Sequence, residues 1–129
     1  MHKKYECGLE AALDVVGGKW KVLILWPLIA APLRFGELKR AVPGISEKML
    51  ILSLKELERD GVVVRRDFME VPPHVDYSLT EFGRSLCDAL SPLCDWGTEH
   101  MKRIEACKQE CERQRLAKEP VESRSEHQP

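Results

Sequence analysis

Apolar positions recur three and four residues apart along most of this chain, and they alternate with polar ones only over a short central stretch. Leu9, Ala12, Leu13 and Val16 predict a short amphipathic helix that Gly17-Gly18 ends. Trp20, Leu23, Ile24 and Leu28 predict a second helix from about Lys19. Pro27 lies inside that pattern and brings a kink or an early end, because it has no N–H to donate. A third, short helix is expected over Leu33 to Val42, with Phe35, Leu38 and Val42 inward and Glu37, Lys39 and Arg40 outward. Pro43-Gly44 makes a turn. Ser46 then caps a helix that runs to about Asp60 and closes on Gly61 in the left-handed conformation. Two helices joined by so short a turn have the organisation of a helix-turn-helix.

The period then changes from helical to two. Val62-Val63-Val64 is a β-branched run, and Val75, Tyr77 and Leu79 alternate with Asp76 and Ser78. Between them lies a tip, Met69 to His74, whose Pro72-Pro73 cannot continue a ladder. A hairpin directly after a helix-turn-helix is a wing. Thr80 opens a last helix, along which Phe82, Leu86, Leu90, Leu93, Trp96, Met101 and Ile104 hold roughly helical spacing almost to Leu116, with bends at Pro92 and Gly97. Nothing in a monomer remains to cover so long a stripe, which favours a homodimer over a helix folded back on its own core. From Lys118 the chain is polar and is expected to be disordered. The predicted architecture is mainly α with a small β-wing: one winged helix-turn-helix domain over residues 1–117, dimerising through its N- and C-terminal helices, and a tail over 118–129.

Composition sharpens this only locally. With 129 residues and a net charge of −1, the chain has the size of one domain and no overall bias toward polyanions. Residues 34 to 66, however, carry eight Lys/Arg against five Asp/Glu, whereas residues 67 to 98 carry one against six. Phosphate attraction is screened beyond about 8 Å in physiological salt, so the local sign outweighs the total. The start MHKKYEC has no apolar core behind its lysines, and the longest apolar stretch, Val22 to Leu33, is broken by prolines. Neither a secretion signal nor a membrane span is expected. The five cysteines are an odd number, so reduced thiols in a cytoplasmic protein are expected rather than a disulfide framework.

Five spans together carry a family resemblance: Val16-Gly17-Gly18-Lys19-Trp20, Arg34-Phe35-Gly36-Glu37-Leu38, Pro43-Gly44-Ile45-Ser46, Leu57-Glu58-Arg59-Asp60-Gly61 and Val71 to Thr80 (VPPHVDYSLT). They occur in the order found in HxlR-type regulators, winged-helix transcription factors similar in shape to MarR regulators. The resemblance covers about residues 7 to 97 and implies a transcription regulator, not an enzyme, with no cofactor. It implies a homodimer on double-stranded DNA, its two recognition helices in successive major grooves and its wings along the backbone or minor groove. Half-sites one helical turn apart, about 34–36 Å, would suit that symmetry. Arg34, Ser46, Lys48, Ile51, Leu52, Lys55 and Arg59 are the expected contacts of the helix-turn-helix, and Arg65, Arg66 and His74 those of the wing.

Stepping 100° per residue, Leu50, Leu54 and Leu57 take the core face of the recognition helix. Lys48, Leu52, Lys55 and Arg59 then lie opposite, with Ile51 at their shoulder. Where the family usually has a polar, Thr-Gln-like pair, this chain has Ile51-Leu52. That pair either packs on thymine methyl groups or is a partly buried Ile beside an inert surface Leu; weakened DNA binding is a third reading. The three cations suit phosphates better than bases.

Cys7 stands just before the first helix, where members of the resembled family that sense oxidants carry a cysteine. A helix N-terminus favours thiolate; the plainer alternative is a small residue at a helix start. The effector would be an oxidant acting there or a small molecule in the cleft between core and last helix. Cys87 and Cys94 are expected as buried packing residues. Cys107, Cys111 and His100 share a face but are too few for a structural metal site. No His sits in a motif with a cysteine, and no phosphate loop exists, so an enzyme with a cysteine nucleophile is disfavoured. A winged helix used for protein contacts alone is favoured only by Ile51-Leu52.

Overall fold

The computed structural model describes residues 4–118. Its elements are α1 (Gly8–Val16), α2 (Trp20–Leu28), α3 (Phe35–Ala41), α4 (Glu47–Arg59), β1 (Val63–Asp67), β2 (Val75–Leu79), α5 (Glu81–Glu99) and α6 (Met101–Ala117). This is the expected order, mainly helical with one two-stranded antiparallel sheet. The one expected last helix is instead two, and the break falls at His100 (φ −107°, ψ 12°), not at Pro92 or Gly97. Pro92 is tolerated within α5. The expected disorder from Lys118 on lies, Lys118 apart, outside the described residues. Contacts divide the chain into a unit up to Leu90 and a second from Ser91, with α5 running from one into the other.

The core belongs to the first unit. α2 contributes Ile24, Leu25 and Leu28, α3 Leu38, and α4 Leu50, Leu54 and Leu57, while Val42, Ile45, Val62, Val63, Leu79 and Cys87 complete it. Two sequence expectations shift by about one residue around a helix. On α2 the buried positions are Lys21, Ile24, Leu25 and Leu28, and Leu23 is exposed. Lys21 can occupy a core stripe because its Nζ lies 3.0 Å from Glu56 Oε2 of α4; a buried ammonium needs such a partner. On α1 it is Val15 that packs on the core, while Leu9 and Leu13 are 69% and 57% exposed. The Tyr5 hydroxyl donates to Asp14 on that helix, and this hydrogen bond raises the tyrosine's pKa.

The wing is tied to the body at its base. β1 and β2 pair from Val63↔Leu79 to Asp67↔Val75. Leu33 and Tyr77 exchange both backbone bonds, at 3.0 and 2.8 Å, so the loop before α3 extends the hairpin by one bridge. Thr80 Oγ1 donates to the carbonyl of Gly61 at 2.6 Å and accepts from the Gly83 N–H at 2.9 Å, joining the end of α4 to the start of α5. Gly83 permits this approach: a Cβ there would lie 2.1 Å from the Val62 carbonyl oxygen.

Candidate nucleic-acid interface

Ser46, in extended backbone, accepts from the Met49 N–H through its Oγ at 3.0 Å and starts α4 with Glu47 in the first turn. That cap satisfies an N–H donor that would otherwise be left unpaired at the helix end. Gly61 at φ +78° ends the helix region. Between these stops Leu50, Leu54 and Leu57 are 0 to 2% exposed, which fixes the rotation of the helix about its axis. Lys48, Ile51, Leu52, Lys55 and Arg59 are therefore brought together on the solvent side, and all are exposed.

Their electrostatic situations differ. Lys48 and Lys55 have no ion-pair partner among the described residues, whereas Arg59 Nε lies 3.4 Å from Asp60 Oδ1. Arg34 sits at the entrance to α3, its N–H donating to Glu37 Oε1 at 2.8 Å and its side chain exposed. On the wing, Arg65 and Arg66 are exposed and point to opposite faces of β1, opposite Tyr77 and Asp76 respectively.

His74 is not presented as an open cation. Its Nδ1 lies 3.5 Å from Glu70 Oε2, its Nε2 lies 3.9 Å from Asp76 Oδ2, and its ring centroid is 4.3 Å from that of Phe68. Asp76 is itself buried on the wing, and its Oδ1 has no hydrogen-bond partner among the described residues. The wing tip beyond is apolar, with Met69 85% and Val71 98% exposed. The alternation of the strand hid Asp76, because a carboxylate at an outward position reads as solvated. The Lys21–Glu56 pair was hidden for the same reason: charge in a pattern is read as surface. Thr80 and Gly83 had a local signal, a cap residue with Gly three positions on.

The cysteines divide differently from expectation. Cys87 is buried, and burial pushes its thiol pKa up, with Asp88 adding to the shift. Cys94, expected to be buried, is exposed, as are Cys7, Cys107 and Cys111. On α5 the residues from Ser91 to Trp96 all lie open in the single chain, so a packing role for Cys94 has no partner there. Among the described residues, no group of three His, Cys, Asp or Glu is placed to hold a metal, and no helix is long and apolar enough to cross a membrane.

Comparison with known proteins gives the same picture. The family model described as HxlR-like helix-turn-helix matches residues 15–105. The HTH-type transcriptional regulator YtcD of Bacillus subtilis (strain 168) is 50% identical over 102 residues, which cover 79% of this chain and 81% of that protein. Among solved structures, the redox regulator HypR in its reduced form superposes with a TM-score of 0.73 at 43% identity, over 78% of this chain and 99% of that one. The reduced form of the transcriptional regulator YodB from B. subtilis superposes with a TM-score of 0.65 at 37% identity, over 72% of this chain and 92% of that one. These relatives are transcriptional regulators, not enzymes. The chain belongs to the HxlR-like helix-turn-helix family and is a transcriptional regulator with a helix-turn-helix DNA-binding domain.

Proposed function

We propose that this regulator binds a two-half-site operator as a homodimer in the cytoplasm, each protomer placing α4 in one major groove and its wing along the neighbouring backbone. The observation that carries this reading is the outward face of α4, where Lys48, Lys55 and Arg59 surround Ile51 and Leu52 on a helix locked to the core by three leucines. Cations on the flanks of a groove-sized helix neutralise phosphates and set its register. Arg34, Ser46, Arg65 and Arg66 extend the contact, and His74, held by Glu70 and Asp76, acts by fixing the wing's shape rather than as a free charge. The unpartnered apolar residues of α1 and of α5 and α6, among them Leu13, Leu93 and Trp96, supply the dimer surface.

Control by thiol oxidation is a second element of the proposal. Cys7 is exposed and immediately precedes α1. HypR has been solved in reduced and oxidised forms, and YodB in reduced and diamide-treated forms. Oxidation at Cys7 would bias two dimer arrangements that differ in the placement of their recognition helices.

Fluorescence anisotropy against duplex DNA from the region upstream of its own gene tests both parts. Salt-sensitive binding of the reduced protein, much weaker to scrambled DNA, is expected. A change on diamide treatment that is absent in Cys7→Ser is expected for the switch. An identical response in that variant would refute the Cys7 assignment.

A further inference from the structure

We infer that Ile51 and Leu52 make the recognition helix a reader of thymine, selecting base pairs through the 5-methyl group rather than through base-edge hydrogen bonds. The inference rests on the DNA-binding reading of α4 and adds what that face selects.

The two side chains are adjacent, 41% and 49% exposed, and lie within the N-terminal half of a helix spanning Glu47–Arg59. It is the N-terminal part of a recognition helix that meets base edges. Neither residue has a place in the core, since Leu50, Leu54 and Leu57 fill the opposite face. Single exposed apolar residues are common and mean little, but these two are framed by cations. Lys48 lies three and four positions before them, Lys55 four and three positions after, and Arg59 a further turn along. A second copy of the same face would bring like charges together, so self-association through it is disfavoured. A polyanion with apolar groups at the centre of its groove is the complementary surface. In duplex DNA the one apolar group on the major-groove edge of any base pair is the thymine methyl. Ile and Leu carry no donor or acceptor, so the polar groups of any base pair beneath them lose water and gain no partner, and only the thymine methyl offers a compensating apolar contact. Ser46 Oγ already serves as the cap acceptor, and Ser53 is buried, which leaves Glu47 and Lys48 as the polar side chains of the first turn able to compete for base readout.

The test uses the reduced, full-length protein. Duplexes retained from a random-sequence pool are resynthesised with uracil in place of thymine, a change that removes only the methyl group. Affinity is expected to fall about fourfold for each contacted methyl, as follows from the value of one buried methylene-sized group. The Ile51→Ala/Leu52→Ala double variant, both positions being exposed, should keep its helical circular dichroism and its salt dependence while binding thymine and uracil duplexes equally. Equal binding of both duplexes by the wild type, or an unchanged thymine preference in the double variant, would overturn the inference and leave DNA binding standing. Retention of no duplex at all would overturn the DNA-binding reading itself and this inference with it.

Discussion

Lys48 and Lys55 face solvent without a counter-charge among the described residues, and this distinguishes them from Arg59, which has Asp60 beside it. An unpaired lysine releases a condensed counterion when it meets a phosphate, so its contribution is read in the salt dependence of binding. Lys48→Ala should weaken binding to all duplexes and lower the slope of log K against log salt by about one unit. Anisotropy titrations at four salt concentrations measure this, and an unchanged slope would remove Lys48 from the phosphate contacts. The identity of these cations was legible in the sequence because the leucine triplet fixes which side of the helix faces outward. Their pairing was not legible. Asp60 follows Arg59 in the chain, and Glu70 and Asp76 lie within four residues of His74, but proximity in sequence does not say which neighbours come within ion-pair distance.

At the level of elements, hydrophobic period located α1 to α4 and both strands, merged α5 and α6 into one helix, and misjudged rotation wherever the covering surface was not a simple core. The α2 stripe runs through Lys21 because Glu56 on α4 accepts the ammonium, which couples the recognition helix to the helix behind it. On α1 the strongest apolar spacing faces away from the core, since Val15 is the residue that packs. At the junction of wing and α5 the backbones approach closely. Gly83→Ala would force a Cβ against the Val62 carbonyl, a backbone atom that cannot move without shifting β1. Such overpacking should lower the unfolding free energy by about 2–3 kcal/mol. Urea denaturation checks this, and a change within experimental error would mean that the strand yields at little cost.

For the whole molecule, the apolar surface left open in one chain is the main argument for assembly. Leu9 and Leu13 on α1, and Leu93, Trp96 and Met101 on α5 and α6, are each at least half exposed. Apolar helix faces left uncovered in one chain are surfaces that a second copy can bury. Sedimentation velocity is expected to show a dimer for the wild type. Leu13→Glu should shift it toward monomer without loss of helical signal, because Leu13 makes no core contact in the single chain. A monomeric wild type at micromolar concentration would count against the dimer, and with it the two-half-site operator.

The sequence by itself determined the order and type of the elements, the wing, the leucine face of α4 and the family, because each rests on local spacing, turn residues or short ordered motifs. It also determined which side chains of α4 point outward, since one buried face of a helix fixes the other. Tertiary structure alone decided which charges are neutralised and where the last helix breaks. It also decided which cysteines are open. Those outcomes depend on the three-dimensional surroundings of a residue: Glu56 of another helix opposite Lys21, two carboxylates of the same hairpin around His74, and no described neighbour over Cys94. Spacing along one chain encodes which face is apolar, and it cannot encode what that face will meet.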